Sequence, residues 1–369
     1  MSCARSSTRS PRSDVMERAP VIAFRTTAGK GIGFGHLRRC LTLARELAAR
    51  GAEPHFWIDL PGGDAQAIEV ARADGFAARH VMGEEPAASL ALVKQERPSA
   101  LVADSYGLDG AWLRLLRRTT RALLVIDDLA DREIDADLVE NSACGAERLA
   151  YRTSDDCRML LGPAYALLRP GFAAVGAARV VNEVAKRVLL TLGGADPEGR
   201  TATVARALVE TATDLHLDVI IGPLYGDARD LAALHNESPS RVTLHHAPAD
   251  LAPLMAAADL AVSAGGQTTF ELAATGLPSV ALSLADNQRI LLDGFARAGT
   301  LVLAGDAGAP DAIARVVSEV RKLIDNRVQR LRMSLAGRAL VDGRGAGRVA
   351  EALLATIAAR ASTLVEESA

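Results

Sequence analysis

Aromatic side chains are scarce: Phe, Trp and Tyr together make up 4% of the 369 residues. Single-stranded nucleic acid is held by stacked aromatic rings above a basic groove, and a formal net charge of −3 offers no such groove. Nucleic acid is therefore not an expected partner. Cys3, Cys40, Cys144 and Cys157 stand far apart, without the paired spacing of a zinc knuckle or a disulfide framework. No metal site and no cofactor is expected, and a reducing cytoplasm is the expected location. The chain also lacks any uncharged apolar run of about eighteen residues, so no membrane span is expected. Arg5, Arg9, Arg12 and Arg18 lie among serines and prolines with no apolar signal-peptide core, and residues 1–18 read as a disordered extension.

What is present is ample apolar material, 49% of the residues, in a chain longer than one core usually accommodates. Two domains follow. Short apolar runs alternate with amphipathic stretches. Val21-Ile22-Ala23-Phe24, Pro54 to Ile58, Leu101 to Asp104 and Leu123 to Asp128 read as strands of one parallel sheet, with helices over Leu37–Ala48, Asp64–Ala73 and Trp112–Arg118. A second alternation begins at Val188–Leu192 and continues through Val219–Ile221, Val242–Leu244, Leu260–Ser263 and Ser279–Leu282. The expected fold is α/β, two Rossmann-like doubly wound domains facing a cleft. The expected division is an N-terminal domain at 19–170, a linker at 171–186 rich in glycine and small residues, a C-terminal domain at 187–335, and terminal helices at 336–369.

The first alternation is organised around Gly31-Ile32-Gly33-Phe34-Gly35-His36. Glycines let a loop take positive φ and let a ligand approach, and the free N–H groups at the following helix start favour an anion. His36 is thereby presented to a polar substrate. A dinucleotide fingerprint would need a third glycine where Arg38 stands, although Asp59 imitates its acidic ribose partner. A phosphate loop fails because Gly29-Lys30 is followed by Gly31. In the second alternation Gly193-Gly194 and Gly265-Gly266 each follow a strand and precede a helix, so both can offer N–H groups to a diphosphate. Glu271 lies about two turns beyond, where a carboxylate can accept both hydroxyls of a ribose. Asp286, Asn287 and Gln288 supply polar groups for a sugar. The adjacent Asp127 and Asp128 end a strand, where neighbouring side chains diverge, which speaks against a shared metal. His245 and His246 read as loop residues whose backbone lines the base pocket.

Taken together, Phe24-Arg25, Ile32 to His36 with Arg39, Asp104-Ser105-Tyr106-Gly107-Leu108-Asp109, Ile126 to Arg132, Leu161-Gly162-Pro163, Tyr165 to Pro170, Gly193 to Pro197, Gly265 to Glu271 and Ala285 to Gln288 resemble the UDP-sugar hydrolases of pseudaminic acid biosynthesis. The resemblance runs from about residue 20 to 305 and implies a GT-B fold, related to the glycosyltransferase that adds N-acetylglucosamine to the peptidoglycan lipid precursor. It implies hydrolysis of UDP-2,4-diacetamido-2,4,6-trideoxy-β-L-altropyranose to free sugar and UDP, without a metal and with inversion. By position it puts His36 and Tyr106 at the catalytic centre. Gly193, Gly194, Ala247, Gly265, Gly266, Gln267 and Glu271 fall on the nucleotide side, and Gly33, Gly35, Arg39, Asn287 and Gln288 on the sugar side. Thr26-Thr27-Ala28 stands where such proteins carry an acidic residue, and Gly171 where they carry Glu. The rival readings are a GT-B glycosyltransferase, a non-catalytic UDP-sugar sensor and a dinucleotide oxidoreductase.

Overall fold

The computed structural model describes residues 19–366 except 30, 31, 62, 64, 83–85, 195, 197, 212 and 213. The expected extension at 1–18 and Gly31 of the glycine loop lie outside the described residues. The first half runs β1 (Val21–Thr27), α1 (Gly35–Ala49), β2 (Glu53–Asp59), α2 (Gln66–Ala73), β3 (Ala77–His80), α3 (Pro86–Glu96), β4 (Ala100–Asp104), α4 (Gly110–Arg117), β5 (Ala122–Ile126), β6 (Glu133–Ile134), β7 (Leu138–Asn141), β8 (Arg152–Thr153) and β9 (Arg158–Leu161). After α5 (Pro170–Ala177) come β10 (Arg187–Thr191), α6 (Arg200–Thr211), β11 (His216–Ile221), α7 (Arg229–Glu237), β12 (Val242–His246), α8 (Ala252–Ala257), β13 (Leu260–Ala264), α9 (Gln267–Ala274), β14 (Ser279–Ser283), α10 (Arg289–Arg297) and β15 (Leu301–Asp306). Three helices close the chain: α11 (Ala312–Ile324), α12 (Arg327–Leu340) and α13 (Gly345–Glu366).

Two parallel sheets result, ordered β3-β2-β1-β4-β5-β7-β9 and β12-β11-β10-β13-β14-β15. This is the expected pair of doubly wound halves. In each sheet the order reverses beside the first strand: β1 lies between β2 and β4, and β10 between β11 and β13. That reversal opens a crevice at the carboxyl ends of the strands, where ligands of such sheets bind. β1 is buried on both faces because its alternating side chains feed two cores. Ile22 and Phe24 join one with α1 and α13, while Ala23 joins Trp57 and Trp112 in the other. Phe24 stacks on Phe56 with ring centroids 4.8 Å apart, and burying such a ring contributes about 1.5–3 kcal/mol.

Two expectations about the chain's division need correction. Much of the expected linker is helix α5, which begins with Pro170 at its first turn, a position proline favours because that N–H would be unpaired anyway. Its Phe172 buries among Ala252, Met255 and Phe270. The division at 335/336 falls inside α12, and α13 returns to the first half, burying Val349, Ala350 and Leu353 in the same core as Ile22 and Leu43. Arg330 of α12 is fully buried and donates to the carbonyls of Asn182 at 2.6 Å and Glu183 at 2.9 Å, pinning the connecting segment.

Candidate active site

The loop after β1 is a tight cradle. Gly29 and Gly33 exchange backbone hydrogen bonds at 3.2 and 2.8 Å, and Gly33 takes φ +83, which its missing Cβ permits. No side chain caps α1 at Phe34. Gly35 and His36 open the helix, leaving first-turn N–H groups without intrahelical partners. His36 is 9% exposed, and its Nδ1 lies 2.6 Å from Oδ1 of Asp104, at the end of β4 across the crevice.

Asp104 is fully buried and is a hub. Its Oδ2 accepts from Arg39 Nε at 2.7 Å and from the Cys40 thiol at 3.4 Å, and its Oδ1 accepts from Arg39 NH2 at 2.6 Å. Burial pushes its pKa up, but Arg39 and His36 outweigh that and hold it well below the usual carboxylate range. An ionised carboxylate only accepts hydrogen bonds. Nδ1 of His36 must therefore carry the ring proton, leaving the lone pair on Nε2, which has no hydrogen-bond partner among the described residues. A carboxylate that fixes the tautomer and orientation of an imidazole makes it a general base.

Arg39, expected on the sugar side, is committed elsewhere. Besides Asp104 it grips Asp128, with NH1 to Oδ1 at 2.8 Å and NH2 to Oδ2 at 2.9 Å. It brackets two carboxylates rather than facing a ligand. The Tyr106 hydroxyl donates to Asp128 Oδ2 at 2.9 Å, and the ring meets His36 edge-on, centroids 4.8 Å apart at 84°. Burial and Asp128 push the Tyr106 phenol well above its usual pKa, so it acts as a neutral donor. Asp127 diverges from Asp128 as expected, accepting from the N–H groups of Leu129 and Ala130 and from the Tyr151 hydroxyl. In place of an acidic residue after β1, Thr27 donates its hydroxyl to Ser105 at 2.7 Å. Deeper still, Glu140 of β7 is buried and pushed up to about 8 by desolvation, so it sits protonated beneath this cluster.

Across the cleft a cavity of about 390 Å³ is lined by Gly193, Gly194, Ala247, Gln267 and Glu271 from the second half, together with Arg38 of α1. Gly193 takes φ +107 and Ala247 φ +40, left-handed turns that bring backbone against the space. Glu271, in the second turn of α9, has no hydrogen-bond partner among the described residues, and burial raises its pKa to about 7 against the pull of Arg169 and Arg38. Gln267 donates its amide to the Leu167 carbonyl at 3.0 Å, leaving its side-chain oxygen for a ligand. The other expected residues do not line this cavity. Gly265 packs against Gln288, where an added Cβ would come within 2.6 Å of the Gln288 Cβ, and Gln288 Oε1 accepts from Leu284 N at 3.0 Å. The Asn287 side chain lies outside the described residues. A larger cavity, of about 800 Å³, lies between α3 and the segment before β5, lined by Lys94, Arg97, Arg118 and Arg121. It contains none of the expected site residues.

Sequence reasoning missed Gly222, which follows β11 in the Gly-Pro pair that punctuates a strand end. A Cβ there would lie 2.4 Å from the Gly194 carbonyl oxygen and 2.6 Å from that of Gly193, both backbone atoms. Gly222→Ala must therefore displace the glycine loop. We expect it to weaken UDP binding at least about tenfold while the melting temperature falls only modestly, because the strained contact is at the surface of the cleft. Calorimetric titration with UDP checks this, and unchanged affinity would remove the loop from the site.

No family model matches this chain. It is 26% identical over 284 residues to an uncharacterised protein of Methanocaldococcus jannaschii, covering 74% of this chain and 58% of that protein. It is also 26% identical over 265 residues to a Helicobacter pylori protein named pseudaminic acid cytidylyltransferase and UDP-2,4-diacetamido-2,4,6-trideoxy-β-L-altropyranose hydrolase, covering 70% of this chain and 43% of that one. The chain thus spans about half the length of these curated relatives. In three dimensions it matches MurG of Acinetobacter baumannii with a TM-score of 0.63 at 15% identity, covering 91% of this chain and 99% of that structure. The fold is GT-B. Among the described residues no helix is long and apolar enough to cross a membrane.

Proposed function

We propose that the chain hydrolyses a UDP-linked diacetamido-trideoxy-hexose, UDP-2,4-diacetamido-2,4,6-trideoxy-β-L-altropyranose, to the free sugar and UDP. The observation that carries this reading is the His36–Asp104 pair, with Nε2 unpartnered, opposite a cavity floored by glycine-loop backbone and an unpaired Glu271. In this reading uridine sits against Ala247, its ribose hydroxyls donate to Glu271, and the diphosphate meets N–H groups of the Gly193-Gly194 and Gly265-Gly266 loops. The sugar then reaches the Gly33–Gly35 cradle, with Tyr106, Asn287 and Gln288 around it. Nε2 takes a proton from water as the water oxygen bonds to C1. The C1–O bond breaks, its electron pair passes to the β-phosphate oxygen, and attack opposite UDP inverts C1. The charge is met by N–H groups and helix ends, so the scheme calls for no metal. The name of the H. pylori relative supports the reaction and the sugar.

The test is UDP release by the purified chain from that substrate, with metal chelated and no acceptor. Equimolar UDP and free sugar establish the hydrolase. Turnover only with an added acceptor would instead make it a glycosyltransferase, a reading the GT-B fold also accommodates. Binding without turnover would make it a sensor.

Glu271 adds a pH dependence of known sign. Its pKa in the empty protein is raised to about 7, and only the ionised form can accept both ribose hydroxyls. Below about 7 a proton must leave on binding, so affinity falls as pH falls. Glu271→Gln should flatten that dependence relative to wild type and abolish the preference for UDP over 2′-deoxy-UDP. Identical pH profiles in the two proteins would sink the ribose role.

A further inference from the structure

We propose that Arg38 is the cation that binds the diphosphate of the nucleotide from the opposite side of the cleft and stabilises it as it leaves. The inference rests on the nucleotide reading above and adds to it a charged contact from the first half of the chain. Helix α1 presents two functional faces. His36, Arg39 and Cys40 lie on the Asp104 side. Arg38, Leu41, Thr42 and Arg45, spaced i, i+3, i+4 and i+7, form the stripe that lines the cavity shared with Gly193, Gly194 and Glu271. One helix thus brings the base and a cation to the two ends of one substrate.

Three arginines line that cavity, and two are committed. Arg45 donates to Asp74 at 2.5 Å. Arg169 donates to Asp250 at 2.9 Å and to the Ala249 carbonyl at 3.2 Å, and lies over the Phe172 ring. Arg38 has no side-chain acceptor among the described residues, and the one carboxylate its charge acts on across the cavity is Glu271. The glycine loops offer only neutral N–H groups. A diphosphate carries two negative charges while bonded to a sugar and gains another when the C1–O electron pair passes to it. A guanidinium aimed at that oxygen therefore binds the departing group more tightly than the bound substrate, which accelerates the step.

The test is calorimetric titration of wild type, Arg38→Ala and Arg38→Lys with UDP and with uridine, followed by turnover. In Arg38→Ala, UDP affinity should fall about 10–100-fold, the range for a hydrogen bond to a charged group. Uridine affinity should stay within about twofold. Arg38→Lys should recover part of the loss as a point charge without the planar fork. Turnover should fall in kcat by more than UDP affinity does. Unchanged UDP affinity in Arg38→Ala overturns the proposal, as does an equal loss for uridine, which would mark a merely structural role. A wild-type protein that binds neither ligand overturns the nucleotide reading itself, an outcome distinguishable from failure at Arg38 alone.

Discussion

His36→Ala should lower turnover of the UDP-sugar at least about a hundredfold while UDP binds as it does to wild type. The asymmetry follows from the geometry. Nδ1 is held by Asp104 at 2.6 Å, whereas the nucleotide cavity on the other side of the cleft does not include His36. Removing the imidazole takes away the proton acceptor and leaves the cavity lining intact. A positioned base is worth about 10²–10⁴-fold, and what remains comes from N–H groups and helix ends that meet the charge on UDP. His36→Asn separates a base from a group that merely orients the sugar, because its amide can still hydrogen-bond but cannot take a proton. Added imidazole should restore part of the rate of the alanine variant if Nε2 is the base. Wild-type turnover in His36→Ala would remove the role altogether. A rate loss matched by an equal loss in UDP affinity would mean that the ring supports the fold of the cleft rather than the chemistry.

The strands, the two glycine pairs and the placement of His36 at a helix start were legible because they are local. Four to seven apolar residues followed by glycine and an amphipathic run report on themselves. The charged bracket behind His36 was not. Asp104 and Asp128 end strands that lie beside each other only through parallel pairing, β1 with β4 and β4 with β5. No periodicity reveals that Arg39 will find both. A lone arginine next to a catalytic histidine is therefore easily assigned to the substrate, when its five donors are largely spent on two carboxylates. Gly222 escaped for a related reason: its value lies in the carbonyls of Gly193 and Gly194, which belong to a neighbouring strand's loop. The return of α13 to the first core likewise depends on partners some three hundred residues upstream, and its own pattern says only that one face is apolar.

Asp104→Asn should cost activity and stability together, and the pH dependence of the second tells why. Wild-type Asp104 accepts from four groups, His36 Nδ1 and Arg39 NH2 at Oδ1, Arg39 Nε and the Cys40 thiol at Oδ2. An asparagine of the same shape has one oxygen and one NH2. If its NH2 faces Arg39 Nε, two donors oppose each other. If it faces His36, Nδ1 must become the acceptor, the ring proton moves to Nε2, and the base is lost. Either way the ring no longer rests in the reactive tautomer, and kcat should fall about 10²–10⁴-fold with little change in UDP affinity. Breaking a buried ion pair by removing one partner costs about 3–5 kcal/mol, and Asp104→Ala should reach that range. Because the folded pKa of Asp104 lies below its unfolded value, the pairing contributes stability that is present above the unfolded pKa of about 3.9 and is lost as pH falls through the folded value. The gap in urea midpoint between wild type and Asp104→Asn should therefore be widest near neutrality and narrow as acid is added below about pH 4. A gap independent of pH would show that Asp104 holds His36 by shape rather than by charge, and would leave the tautomer of His36 unexplained.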